Sequence, residues 1–300
     1  MIEPSPLAAT DFDLHLPGGR IRARRFGDPA GELVLCVPGL SANSRWYDFL
    51  AERIAGNGRQ IVALDLRGRG HSEVTPAGTY GFRNHARDIF AAAQALGAER
   101  FDLIGHSMGA YVSMEAAALD SAERIRRLIL IDGLGIPRYA AIKAIQHNLQ
   151  RLNFIHPSTE HYVSAVRGQK LIEAWNDYWD RIYAYELVAV PGGMRARTQA
   201  AAVQEDFTYG NLHDARRLWH KFAMPVLALR AARSMSGRNG FIVTEFDLRH
   251  FVRVAPSGTA LEIDANHYDI MMHAQTLAAI RDFIAARLGA KRETPRVQRS

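Results

Sequence analysis

Phe101-Asp102-Leu103-Ile104-Gly105-His106-Ser107-Met108-Gly109-Ala110-Tyr111 is the stretch whose reading decides the architecture. Four residues of strand-like, largely apolar chain run into Gly-x-Ser-x-Gly, and a helix-forming segment of small residues follows from Ala110 to Leu119. A tight strand-to-helix turn needs residues without a side chain where it is most crowded, and Gly105 and Gly109 stand two positions either side of Ser107. Such a turn lifts the serine hydroxyl out at the edge of a sheet. It also aims the first N–H groups and the positive dipole end of the following helix at whatever the serine attacks. A chain with 24 glycines in 300 residues would carry the five-residue pattern by chance in roughly one case in ten. The flanking strand and helix are therefore what make Ser107 a candidate nucleophile.

The pattern extends outward in both directions. Upstream, Asp11 to Pro17 and Arg20 to Phe26 alternate around Gly18-Gly19 and predict an opening hairpin. Leu33 to Val37 and Ile61 to Leu64 are continuous apolar runs of the kind buried on both faces of a sheet. Trp46, Phe49, Leu50 and Ile54 fall at helical spacing, and Phe82 to Leu96 carries a helical stripe. Downstream, Leu128 to Ile131 is a strand ending at Asp132, and the alternation resumes with Pro225 to Leu229, Ala260 to Ile263 and a closing helix from Ala274 to Leu288. Regular strand and helix alternation implies right-handed crossovers and a mostly parallel sheet covered on both faces. Residues 1–133 and 223–288 are read as this core. Residues 134–222, helical in pattern and rich in large side chains, are read as an inserted helical cap, and 289–300 as a disordered basic tail.

The order of motifs resembles the α/β-hydrolase superfamily, in its cap-bearing branch of esterases and of C–C or amide hydrolases. The resemblance spans roughly Leu33 to Leu288. It rests on Pro38-Gly39, Asp65-Leu66-Arg67-Gly68-Arg69-Gly70-His71-Ser72, Gly105-His106-Ser107-Met108-Gly109 and Ala265-Asn266-His267. It implies an eight-stranded, mostly parallel α/β-hydrolase sheet with helices on both faces. It also implies a serine nucleophile where dehalogenases and epoxide hydrolases carry aspartate. The chain departs from the family at Pro38, which stands where histidine is usual. A carboxylate-free later loop combined with an acid after the earlier strand also resembles the enamide-cleaving hydrolases of vitamin B6 catabolism.

A serine hydroxyl needs a base, an oriented acid and donors for the developing oxyanion. In the chain order of this fold the base follows the last strand, and His267 stands there, a few residues beyond Ile263. The usual acid position, the loop Arg230 to Gly237, contains no carboxylate. Asp132, at the end of the preceding core strand, is therefore assigned to the role, with Asp247 and Glu245 as the alternatives. The N–H groups of Leu40 and Met108 are the expected oxyanion donors. Trp46, Trp175, Trp179 and Tyr183 are expected to line a pocket roofed by the cap. Asp65 and Arg67 read as structural ties, although Arg67 and Arg69 also have the charge to face an anionic substrate.

The expected activity is cleavage of a small, apolar or aromatic carbonyl substrate through an acyl-enzyme, whether ester, lactone, amide or activated C–C bond. An acyltransferase or a non-catalytic small-molecule receptor on the same fold are the alternatives. No metal or organic cofactor is expected. The formal charge of +6 does not mark a nucleic-acid surface. Lys291, Arg292, Arg296 and Arg299 against Glu293 place a net +3 of it in the terminal segment, and the rest is dispersed. The single cysteine, Cys36, lies in an apolar strand and allows no intramolecular disulfide. With neither a leader-like start nor ~18 consecutive apolar residues, the reading is of a cytoplasmic protein with no membrane partner. A homodimer is left open.

Overall fold

A computed structural model describes residues 8–56, 58–286 and the backbone of 297–298. The first part of the chain runs β1 (Ala9–Leu16), β2 (Gly19–Phe26), β3 (Glu32–Val37), α1 (Asp48–Ile54), β4 (Arg59–Leu64), α2 (Phe82–Ala95), β5 (Phe101–His106), α3 (Met108–Leu119) and β6 (Ile125–Ile131). An insertion follows, with α4 (Tyr139–Leu149), β7 (Ile155–His156), α5 (Thr159–Gly168), α6 (Asp177–Tyr185), β8 (Leu187–Val190), β9 (Gly193–Ala196) and α7 (Ala200–Leu212). The chain then returns through β10 (Val226–Ala231), α8 (Glu245–Val254), β11 (Gly258–Ile263), α9 (Ala274–Ala285) and β12 (Val297–Gln298).

The main sheet has the order β1-β2-β4-β3-β5-β6-β10-β11-β12. β1 and β2 form the expected hairpin and β2 meets β4 antiparallel; the remaining pairs are parallel. This is the expected α/β-hydrolase sheet of eight strands, with the two-residue β12 added beside β11. The two-residue periodicity of each strand decides which layer its side chains enter. Leu33, Leu35 and Val37 of β3, with Leu128 and Leu130 of β6, pack into the layer made with α2 and α3. Val34 and Cys36, with Ile129 and Ile131, pack into the opposite layer, made with α1 and α9. Both faces being buried is why these strands read as unbroken apolar runs. Burial pushes the Cys36 thiol far above its ordinary pKa, as for a packing residue rather than a reactive one.

Two expectations about organisation change. The insertion is not wholly helical: β7, β9 and β8 form a small antiparallel sheet. Its strands are two to four residues long, too short for alternation to show in the sequence. The disordered tail expected over 289–300 lies outside the described residues except at Val297–Gln298, which pair with Ala260 and Leu261 as a strand.

Buried ion pairs join the insertion to the core. Asp206 of α7 accepts from Arg69 Nη2 at 2.6 Å, from the Gly81 N–H at 2.6 Å and from His85 Nε2 at 2.9 Å, and all three side chains are fully buried. Burial alone would raise the Asp206 carboxyl, but His85, Arg69 and the Gly81 N–H outweigh it and hold it down at about 2. A carboxyl depressed in the folded state adds stability above its unfolded pKa and loses it as pH falls through the folded value. Asp206→Asn is therefore expected to lower stability by about 2 kcal/mol at pH 7. Urea unfolding of both proteins should show that gap shrinking from about pH 4 downward. A gap that stays constant with pH counts against the assignment.

Candidate active site

Ser107 occupies the turn between β5 and α3 with φ 55° and ψ −123°, a conformation that non-glycine residues adopt only where the surroundings hold it. Its N–H is held by Ile131 O at 2.9 Å. The flanking glycines are required by contact. A Cβ on Gly109 would stand 2.0 Å from Val37 O, and one on Gly105 would stand 2.3 Å from Gly109 O.

His267 follows β11 and reaches back to this turn. Its Nδ1–H donates to Asp132 Oδ2 at 2.7 Å, which leaves Nε2 to accept from the Ser107 hydroxyl at 3.0 Å. Asp132 also has a positive φ, 42°. Its N–H donates to Leu229 O at 2.8 Å, and its second carboxylate oxygen accepts from the Ala231 N–H at 3.0 Å. The later loop, which lacks a carboxylate of its own, thus contributes a backbone donor to the carboxylate on the neighbouring strand. The two alternative acids have other surroundings. Asp247 accepts from Thr244 Oγ1 at 2.6 Å at the start of α8, and Glu245 pairs with Arg249 along that helix.

The loop carrying His267 is braced from several sides. Asn266 Oδ1 accepts from the N–H groups of Tyr268 and Asp269, at 2.9 and 3.0 Å. His106 lies stacked between Trp46 and His267, with ring centroids 5.6 and 4.7 Å away. Its Nε2–H donates to the His267 carbonyl at 3.1 Å. Burial, then the neighbouring His267, holds the His106 pKa well below its ordinary value, so this ring is neutral and acts as a support.

The turn after β3 runs against the serine: a Cβ on Gly39 would stand 3.2 Å from Ser107 Cβ. Leu40 and Met108 share a cavity wall with Ser107. The Leu40 carbonyl accepts from Arg69 Nε at 3.0 Å, which ties the peptide of this turn to the buried Arg69–Asp206 pair. The structural reading of Asp65 and Arg67 agrees with their partners. Asp65 accepts from the N–H groups of Ser44 and His71 and from the Tyr185 hydroxyl, and Arg67 Nε donates to Asp88 at 2.7 Å. Arg69 is likewise committed to protein partners rather than facing a ligand.

The cavity at Ser107 measures about 200 Å³ and lies between the elbow, α4 and α7. The aromatic residues expected to line it do not. Trp46, Trp175, Trp179 and Tyr183 are absent from its wall and pack on one another instead. Trp46 meets Trp179 edge-on at 5.0 Å, and Trp175 stacks on Tyr183 at 5.7 Å. Trp179 and Tyr183 are fully buried there, because their large apolar area is removed from water by the insertion's own packing on the core. The wall is made by Phe82, Tyr111, Ile142, Phe207 and their neighbours, which sequence reading passed over. Helical spacing in α4 marks an apolar face but not which partner covers it, and α7 carries almost no apolar periodicity to read.

A second group missed from sequence centres on Arg151, which is buried. It donates to the Tyr162 hydroxyl, to Asn148 and, at 3.2 Å, to Ser41 beside the Leu40 turn. Asn148 in turn donates to the Tyr268 hydroxyl next to His267. Glu186, also buried, accepts from Tyr162 and lies 3.4 Å from Arg151. Removing one partner of a buried charge pair leaves the other uncompensated. Arg151→Met is expected to cost about 3–5 kcal/mol in stability, read by chemical denaturation. Pairing it with Glu186→Gln should recover part of that loss, and a purely additive double variant would argue against the coupling.

No cluster of metal-ligating side chains occurs among the described residues, and no helix among them is long and apolar enough to cross a membrane.

The sequence model of the family described as alpha/beta hydrolase fold matches residues 32–273. Among curated proteins, N-formylmaleamate deformylase of Pseudomonas putida is 42% identical over 108 residues, covering 36% of this chain and 39% of the relative. A serine hydrolase-like protein of Danio rerio is 34% identical over 179 residues, 57% of this chain and 54% of the relative. The matches thus span about two fifths to half of these relatives. Among solved structures, E-2-(acetamidomethylene)succinate hydrolase superposes with a TM-score of 0.82 at 24% identity, over 93% of this chain and 100% of that one. At that identity the likeness concerns the fold.

Proposed function

The chain belongs to the alpha/beta-hydrolase fold family, and from that premise we propose that it is a serine hydrolase acting through an acyl-enzyme on Ser107. The observation that carries the reading is the unbroken chain from Asp132 through His267 to Ser107, with links of 2.7 and 3.0 Å at the mouth of a cavity. In this reading His267 Nε2 takes the hydroxyl proton as Ser107 Oγ bonds to the substrate carbonyl carbon, while Asp132 holds the ring tautomer and offsets the imidazolium charge. The oxyanion is held by the N–H groups of Leu40 and Met108. Collapse of the tetrahedral intermediate breaks the bond to the leaving group, which takes its proton from His267. Water, activated by the same ring, then releases the acid. The substrate is a small carbonyl compound with an apolar portion. The sequence relative named as a deformylase favours keeping C–N bonds beside esters, lactones and activated C–C bonds as the bond class.

The test is labelling with a fluorophosphonate probe, with the adduct mapped by mass spectrometry, together with turnover of an ester, lactone, amide and vinylogous C–C panel. The expected result is modification of Ser107 and turnover abolished by prior labelling. A folded protein whose Ser107 stays unlabelled and which turns over none of the panel would overturn the reading.

A further inference from the structure

Because the cavity at Ser107 touches Leu40 and Met108 but not His267, we infer that it is the acyl pocket of this site and that it selects an uncharged hydrocarbon acyl group over one carrying a carboxylate. The inference rests on the Ser107 reading above. A group leaving from the serine-bound carbonyl must depart beside His267 Nε2, which protonates it. His267 is not among the residues lining the cavity, whereas Ser107 and both proposed oxyanion residues are. The part of the substrate that fills the cavity is therefore the part that stays bonded to Ser107 Oγ after the leaving group has gone.

The wall decides the chemistry of that part. Phe82, Met108, Tyr111, Ile142, Phe207 and Ile242 contribute apolar surface, and among the described residues no lysine or arginine lines it. The two carboxylates that do are both committed to protein cations. Asp206 is paired with Arg69 and is within hydrogen-bond reach of His85, and Asp214 is held by Arg216 at 2.8 and 2.9 Å. Arg69, the guanidinium behind this wall, is fully buried and spends its donors on Leu40 O, Arg67 O and Asp206. His213, also on the wall, is kept below its ordinary pKa by burial and brings no cation at neutral pH. An acyl group with a terminal carboxylate would have to shed its hydration with no counter-charge to meet it, an expensive transfer. A hydrocarbon chain gains by the same transfer. The cavity's volume, about 200 Å³, is many times the ~10–15 Å³ that a single water needs, so it holds an aliphatic chain and not an acetyl group alone. Ile136 and Leu212, exposed apolar residues on the same wall, leave room for a longer one to pass outward.

Two esters of equal length test this on the wild-type protein: p-nitrophenyl hexanoate and the mono-p-nitrophenyl ester of adipic acid. With kcat/KM as the readout, the hexanoate is expected to lead by about a hundredfold, and a lead under tenfold overturns the inference. Hexanoate should also exceed p-nitrophenyl acetate, and parity between them counts the same way. Ile142, half-buried on α4, offers a gain-of-function arm. Ile142→Arg, checked for folding by thermal unfolding, should shift the hexanoate-to-adipate ratio at least tenfold toward adipate. A folded Ile142→Arg protein with an unchanged ratio also overturns the inference. Fluorophosphonate labelling and the p-nitrophenolate burst separate the two levels. A labelled, active protein that prefers the adipate ester sinks the acyl-pocket inference alone. An unlabelled protein that turns over neither ester sinks it together with the hydrolase reading.

Discussion

Ser107→Ala is expected to lower kcat by about 10⁶-fold on any substrate the wild type turns over, while leaving the fold intact. In the proposed reaction the hydroxyl supplies the atom that forms the covalent bond, and nothing at hand replaces it. His267 Nε2 loses its 3.0 Å partner, and a water bound in its place would attack without the entropy advantage of an attached nucleophile. The fold survives because the contacts of this turn belong to the backbone and to the glycines. The Ser107 N–H still reaches Ile131 O, and alanine carries the same strain as serine at φ 55°. Steady-state turnover, fluorophosphonate labelling and a thermal melt on one preparation check this. A variant that melts like the wild type and retains more than about a thousandth of its kcat would mean that Ser107 does not carry the bond-making step.

The parts of this fold that were readable from sequence are those in which one residue's local chemistry decides the outcome. Leu33 to Val37 and Leu128 to Ile131 read as doubly buried strands because both alternating faces meet a helical layer. Gly105 and Gly109 were readable because a Cβ has nowhere to go at either position. His267 followed from chain order, and Asp132 from the absence of a carboxylate between Arg230 and Gly237. The insertion was opaque for the opposite reason. Trp179, Tyr183 and Phe207 look alike in composition, yet the first two are sealed in the insertion's packing on the core and the third faces the cavity. Only tertiary packing separates them. Arg69, Arg151 and Asp206 carry the same difficulty, since a buried charge and a solvated one are the same letter in the sequence. What distinguishes them is a partner 137 positions away in the case of Arg69 and Asp206, or 110 in the case of Arg151 and Ser41.

Asp132→Asn is expected to reduce kcat by about 10⁴-fold with little change in stability. The geometry makes this a demanding substitution despite its small size. Both carboxylate oxygens accept a hydrogen bond, one from the fixed Ala231 N–H and the other from His267 Nδ1–H. Asparagine has one acceptor and one donor group in the same two places. The backbone N–H cannot change its character, so the amide oxygen turns toward Ala231 and the NH₂ group toward His267. The imidazole then meets a donor at Nδ1, moves its proton to Nε2, and presents N–H rather than a lone pair to Ser107. The base is in the wrong tautomer, and the imidazolium that forms during attack has lost its counter-charge. Asparagine tolerates the left-handed backbone at φ 42° better than most residues, so a loss of activity reports on the side chain rather than on a collapsed turn. Glu245→Gln and Asp247→Asn serve as references, because those carboxyls pair along α8 and with Thr244. Neither is expected to approach the 10⁴-fold loss. Near-wild-type turnover in Asp132→Asn, or a comparable loss in Asp247→Asn with the fold retained, would remove Asp132 from the acid role.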